Sequence, residues 1–282
     1  MYPSILSEIR EAIKRRYELI PYLYELSFRS AQEAQPLQRW TGWGPYDKDP
    51  NVWNDQGLRA GETQYFLGDA FLVGGVYEEN SEETKVYLPC CINDQTEDVN
   101  QWESYYDHGF IYVHFPYQYY SPGQWVTVPT PLSNIAVFAR VGSVVPVGLP
   151  CVTTASPPLE PNLKHDDWRG VEIYPGPRAI IPERPYIGMW REDDGISNDG
   201  GVNVFRLFYM PKKDMIEVQV ECIAKELEVL WGEKIWIILP FGEERPVISV
   251  RECNGAKIQV APILNARDAR GRSTYQVEVP TV

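Results

Sequence analysis

The stretch from Gln64 to Tyr77, reading QYFLGDAFLVGGVY, is the most apolar continuous segment in the chain. It constrains the fold more than any other. A membrane-spanning helix needs about 20 such residues, so this length suits one or two fully buried strands instead. Before it the apolar residues recur with a helical period, and after it almost every run reads as strand. The segment therefore reads as a hinge between two architectures.

Upstream, Ile9, Ile13, Tyr17, Ile20, Tyr24 and Phe28 lie three or four residues apart, with Glu8, Arg10, Glu11, Lys14 and Arg15 between them. That spacing predicts an amphipathic helix over about 7–34. Ser4 or Ser7 can act as its N-cap, and Pro21 should kink it or split it in two. A lone helix cannot bury its stripe, so it requires a partner that the rest of the chain does not obviously supply. Residues 35–40 then form a candidate strand, followed by a turn-rich loop, TGWGPYDKDP, over 41–50. Trp43 and Tyr46 in this loop either cap the core or stack on the apolar face of a sugar ring.

A chain of 282 residues is long enough for two or three domains. Its formal charge of -13 argues against a nucleic-acid partner, whose binding rests on clustered Lys and Arg, and favours a neutral one. No basic and apolar secretory leader opens the sequence, and no Asn-x-Ser/Thr acceptor occurs, which together tilt the expectation toward an intracellular location. Cys90, Cys91, Cys151, Cys222 and Cys253 show no CxxC or zinc-ligand spacing, and read as ordinary buried thiols.

Downstream, alternating runs at 84–89, 125–129 and 135–140, with VVPV at 144–147, predict one set of strands. Between them, Tyr105, Tyr106, Phe110, Tyr112, Tyr117, Tyr119 and Tyr120 form either a binding surface or an aromatic hairpin covering a sheet. His108 and His114 are six residues apart and His165 is remote, so no helical zinc pair is present. Residues 151–162 hold three prolines and read as a linker. Seven further runs beyond it suggest a second antiparallel sandwich. The acidic loop EDDGISNDGG over 192–201 lacks the alternating ligand pattern of an EF-hand and reads as a solvated turn. No nucleophile elbow, P-loop or HExxH motif occurs.

Several segments resemble glycoside hydrolase family 31, the α-glucosidase and α-xylosidase family. RYELIPYLY at 16–24 resembles its RYxLLPYLY helix. Residues 64–76 are similar to its QFLLGxxLLVAPV stretch, and residues 85–89 to its VYLP strand. GQWVTV at 123–128, followed by PLSNIAVFARVGSVVP at 131–146, is similar to its GxW…PLDxIPVFxRxGSIIP, and Glu192 to Gly195 match its EDDG turn. Gly74-Gly75 stand where the family has Ala-Pro, and residues 90–123 form a long insert.

The resemblance implies a mainly β chain: two antiparallel β-sandwich domains preceded by a helix-strand remnant of a (β/α)8 barrel. The expected divisions are 1–78 for the end of the barrel, 79–160 for a proximal sandwich and 161–282 for a distal one. Arg39 and Trp40 would lie on the last barrel strand, with Trp in place of the family's Pro, and Arg39, Trp40, Trp43 and Tyr46 would approach substrate at the strands' C-terminal rim. The family's two catalytic aspartates and its substrate-binding histidine have no counterpart in the sequence. The chain alone is therefore expected to be inactive, without metal or cofactor, and to be the C-terminal part of a retaining α-glycosidase acting on α-linked glycosides. A non-catalytic carbohydrate-binding or structural module is the alternative, with Trp43, Tyr105, Tyr106 and Tyr120 as contacts. Neither nucleic acid nor membrane is an expected partner.

Overall fold

The computed structural model describes residues 3–92, 108–114, 117–149, 167–197, 200–232, 234–253, 256–260, 262, 264–268 and 270–279, and the structural statements below concern these residues. The predicted helix is present as two: α1 (Leu6–Glu18) and α2 (Ile20–Glu33). Pro21 sits in the first turn of α2, where a missing N–H costs nothing, so the proline divides the helix rather than bending it. Ala34 adopts the left-handed conformation (φ 55°) and ends α2. Neither serine is the N-cap: that position is Ile5, and Ser7 lies inside α1 with its hydroxyl donating to Glu8 at 2.7 Å. Two short helices, α3 (Pro50–Asn54) and α4 (Gln56–Ala60), follow.

The strands are β1 (Gln38–Arg39), β2 (Gln64–Leu67), β3 (Phe71–Gly74), β4 (Glu83–Leu88), β5 (Phe110–Tyr112), β6 (Gln118–Tyr120), β7 (Gln124–Pro129), β8 (Ala136–Arg140) and β9 (Val144–Val147). They continue as β10 (Gly170–Ile173), β11 (Tyr186–Glu192), β12 (Asn203–Pro211), β13 (Ile216–Ala224), β14 (Lys234–Ile238), β15 (Val247–Cys253), β16 (Ala256–Val260), β17 (Leu264–Arg267) and β18 (Ser273–Glu278). The fold is mainly β, as expected. The chain divides into two compact units.

One unit comprises Pro36–Ser143 and Tyr174–Ile180. Its main sheet has the order β1-β2-β3-β8-β5-β6, every pairing antiparallel, and β4 pairs with β7 in a separate ribbon. The apolar segment that opens the sequence reading is the hairpin β2–β3, turning at Gly68 with φ 59°. All four residues of β3 are buried, and those of β2 alternate. The hairpin lies inside a sheet whose other strands come from both sides of it in sequence, so the sheet continues through the segment. Phe66, Leu72, Val86, Leu88, Phe110, Tyr112, Val126, Val128 and Phe138 form the core beneath it. Burying each such side chain is worth roughly 1.5–3 kcal/mol. Phe110 and Tyr112 on β5, paired to β6, form an aromatic pair of strands that extends the sheet from β8 instead of covering its face, while Tyr105, Tyr106 and His165 lie outside the described residues.

The other unit comprises Met1–Gln35, Val144–Ile173 and Ile181–Val282. Two five-stranded sheets build it, in the orders β17-β18-β14-β10-β9 and β11-β12-β13-β15-β16. Most neighbours are antiparallel; β10–β14 and β13–β15 are parallel. On β12 and β13 every second residue is buried, including Phe205, Leu207, Tyr209, Val218 and Val220, the period expected of a strand with one face on a core.

The partner that α2 was expected to lack is present in the same unit, because α2 lies on β9 and β11 with Tyr22 and Leu26 buried. Glu25 of α2, itself buried, accepts from the main-chain N–H of Arg191 at 2.9 Å and from its guanidinium at 2.8 Å. Ile9, Ile13 and Tyr24 keep part of the apolar stripe exposed. A second attachment centres on Glu172 of β10, which is 2% exposed. Arg15 of α1 reaches its two carboxylate oxygens at 2.8 Å each, and Arg272 reaches it at 2.6 Å. Burial alone would raise this carboxyl, but the two guanidinium groups outweigh it and hold it far below the usual carboxylate range.

Candidate functional site

The residues that the sequence singles out between Arg39 and Tyr46 all belong to one loop system, and the structure gives them different tasks. Arg39, on β1, is buried; its Nε donates to the Pro36 carbonyl oxygen at 2.9 Å and its guanidinium pairs with Asp69. This fixes the strand end from which the loop departs. Trp40 is half-buried, with its indole N–H donating to the Leu58 carbonyl oxygen at 2.6 Å. Its ring packs on Val52, Leu58 and Tyr87 and meets Trp53 edge-on with centroids 4.8 Å apart. The chain folds back so closely that a Cβ on Gly42 would lie 2.5 Å from the Trp40 ring, which is why glycine stands there.

Trp43 differs. Its main-chain N–H closes a turn onto the Trp40 carbonyl oxygen at 2.9 Å, and its side chain is 43% exposed. Trp53 on α3 is 48% exposed, with its indole N–H donating to the Asp47 carbonyl oxygen. Tyr46, by contrast, is buried and stacks on Phe66 at 5.3 Å with the rings nearly parallel at 4°. It is a core residue of this unit. The loop thus carries two exposed indoles on a base pinned by Arg39, Trp40 and Tyr46.

Asp49 holds the far side of the loop. It is fully buried, caps α3 by accepting from Asn51 N at 3.0 Å, and accepts from the Tyr87 hydroxyl at 2.9 and 3.1 Å and from Cys90 N at 2.9 Å. Asn51 Nδ2 donates to the Tyr87 hydroxyl oxygen at 2.8 Å. Burial chiefly, with the Asp49 carboxylate adding to it, pushes the Tyr87 phenol well above its ordinary range, so Tyr87 stays a donor at any working pH. Gln64 completes the frame: its side-chain amide donates to the Tyr87 carbonyl oxygen and accepts from its N–H, both at 2.8 Å. Asp49, Trp53, Gln64 and Tyr87 were not singled out from sequence. The pair Asp49-Pro50 is an N-cap followed by a first-turn proline, a helix-start signal that could have located α3.

The acidic side chains Glu192, Asp193 and Asp194 in the other unit are taken up by their own turn and by neighbouring elements. Asp194 accepts from Ile196 N and Ser197 N, each at 2.9 Å, and from the Ser197 hydroxyl at 2.6 Å; Asp193 accepts from Gly195 N and the Tyr24 hydroxyl, each at 2.8 Å. Glu192 accepts from Arg169 at 2.8 Å and from the indoles of Trp190 and Trp231 at 3.0 and 2.9 Å. Among the described residues no group of three His, Cys, Asp or Glu could hold a metal ion, and no helix is long and apolar enough to cross a membrane.

Residues 34–145 match the model of the glycosyl hydrolase family 31 C-terminal domain. Neutral alpha-glucosidase C of Mus musculus is 35% identical over 139 residues, which are 49% of this chain and 13% of that protein. Neutral alpha-glucosidase AB of Homo sapiens is 33% identical over 138 residues, 49% of this chain and 12% of that protein. The chain therefore spans a small part of the curated relatives it matches. Among solved structures, a Flavobacterium johnsoniae GH31 dextranase superposes with a TM-score of 0.70 at 17% identity, covering 98% of this chain and 32% of that one. A GH31 alpha-xylosidase from Xanthomonas citri covers 87% of this chain and 23% of its own, with a TM-score of 0.51 at 21% identity.

Proposed function

We propose that the chain, whose residues 34–145 match the model of the glycosyl hydrolase family 31 C-terminal domain, is a non-catalytic part of a retaining α-glycosidase, one acting on α-linked glucosides. The observation that carries this reading is the pairing of that match with the loop it contains, where Trp43 offers an exposed ring on a base fixed by buried Arg39, half-buried Trp40 and buried Tyr46. An indole face covers the apolar C–H face of a sugar and leaves the hydroxyls to other partners. In this reading β1 is the last barrel strand, residues 1–78 are the end of a barrel, and residues 79–160 and 161–282 are the β domains that follow it. Arg39, Trp40 and Tyr46 hold Trp43 at the rim. The two carboxyl groups that a retaining mechanism requires, about 5–5.5 Å apart, would come from another segment.

A test is to read the transcript in frame upstream of Met1. A W-x-D-M-N-E motif is the expected result, and a stop codon before any such motif overturns the proposal. The purified chain should not turn over an aryl α-glucoside. Turnover abolished by a point substitution within this chain would contradict its non-catalytic role.

A second reading, a carbohydrate-binding module, is favoured by the joint exposure of Trp43 and Trp53. Calorimetric titration with an α-linked glucose trisaccharide distinguishes it. Heat lost in Trp43→Ala supports binding by the chain alone, and no heat from the parent chain refutes it.

A further inference from the structure

We propose that Cys90 and Cys91 form a reversible thiol switch, in which a hydroperoxide converts the pair to a vicinal disulfide and thereby releases the loop carrying Trp43 and Asp49. The two cysteines are adjacent and both half-buried. Each sulfur bonds to that loop: Cys90 Sγ donates to Asp49 Oδ2 at 3.5 Å, and Cys91 Sγ donates to the Pro45 carbonyl oxygen at 3.2 Å. Cys90 also offers its main-chain N–H to the same Asp49 oxygen at 2.9 Å. These bonds tie the segment that follows β4 to the 3-10 turn at Gly44–Tyr46, through Pro45, and to Asp49 three residues beyond it.

The chemistry balances with the peroxide as the two-electron oxidant. One thiol attacks the O–O bond, becoming a sulfenic acid and releasing an alcohol, or water from hydrogen peroxide. The neighbouring sulfur then displaces the sulfenic oxygen, which leaves as water. Two S–H bonds are broken, one S–S bond forms, and the peroxide is reduced. In the product neither sulfur is a donor, and each must turn from its loop acceptor toward the other. Adjacent Cα atoms stand about 3.8 Å apart across a trans peptide, closer than the roughly 4.4–6.8 Å usual for disulfides. Such a bond is strained and therefore easily reduced, the property of a regulatory disulfide rather than a structural one.

The inference stands apart from the glycosidase reading. Its test treats the full chain with hydrogen peroxide and then dithiothreitol, with peptide mass spectrometry and hydrogen exchange at each stage. Oxidation should lower the mass of the peptide holding Cys90 and Cys91 by two hydrogen atoms and speed exchange several-fold over residues 43–55, and dithiothreitol should reverse both. Cys91→Ser should abolish the mass loss, and Cys222→Ser should keep it. A gain of oxygen atoms, a disulfide to any other cysteine, or no mass change overturns the vicinal pair. A vicinal disulfide with unchanged exchange over 43–55 overturns its control of the loop.

Discussion

The hydroxyl of Tyr87 donates into the fully buried carboxylate of Asp49, lying 2.9 and 3.1 Å from its two oxygens, while the indole-bearing helix α3 begins from that same carboxylate. Strand β4 and the loop are thereby locked together by one acid. Tyr87→Phe should cost about 1–3 kcal/mol in chemical denaturation, the usual penalty for leaving a buried polar partner unmet. Asp49→Ala should cost more, because it also strips Cys90 N and the α3 cap. A double-mutant cycle should return a coupling of about 0.5–3 kcal/mol, and strict additivity would mean the two residues act separately.

Trp40 and Trp43 should part company on substitution. Trp40→Ala removes a ring packed on Val52, Leu58 and Tyr87 and should cost about 3–5 kcal/mol. Trp43→Ala removes an exposed ring and should change stability by no more than about 0.5 kcal/mol. Thermal melts of both variants decide this. An equal loss in the two would place Trp43 among the structural residues.

Glu172 should make the unit built around β10 sensitive to strong acid. Its folded carboxyl titrates far below the unfolded one, so its contribution is complete above the unfolded value near 4.5 and is lost as pH falls toward the folded value. Glu172→Gln leaves Arg15 and Arg272 without their shared counter-charge and should cost about 3–5 kcal/mol at pH 7. Denaturation at pH 7 and pH 3 should show the parent approaching the variant in acid; a constant gap would disprove the assignment.

Glu25 should act in the opposite sense and in another pH window. Burial raises its carboxyl to about 7, outweighing the attraction of Arg191. The folded state therefore holds the proton more tightly than the unfolded one, so this contribution is complete below about 4.5 and is lost as pH rises through about 7. Stability measured between pH 5 and 8 should fall more steeply with pH in the parent than in Glu25→Gln. Parallel curves would show that the Arg191 pair keeps Glu25 charged throughout.

Much of the fold was legible because strand signals are local. The alternation at 84–89, 125–129 and 135–140 and the apolar run at 64–77 needed only nearest neighbours to be read, and each is present as strand. Strands β16 and β17 were missed because charged and amide residues, such as Lys257, Gln259 and Asn265, interrupt their apolar pattern. The partner of α2 was illegible for a different reason: Glu25 meets Arg191 across 166 residues, and nothing in either segment announces the other. At the candidate site, aromatic composition marked the loop but not the tasks within it. Trp43 and Tyr46 look alike in sequence, and only their surroundings separate an exposed ring from one stacked on Phe66.

The unit that holds α1 and α2 is assembled from three separate pieces of chain, the last beginning at Ile181. During synthesis, which proceeds at about 5–20 residues per second, these helices emerge long before β11 exists to receive them. The strands from β1 to β8 are complete sooner and can close their sheet while the helices still wait with Tyr22 and Leu26 uncovered. Residues 1–35 therefore keep an apolar face uncovered through much of synthesis, and their unit closes only when the carboxy-terminal sheets arrive.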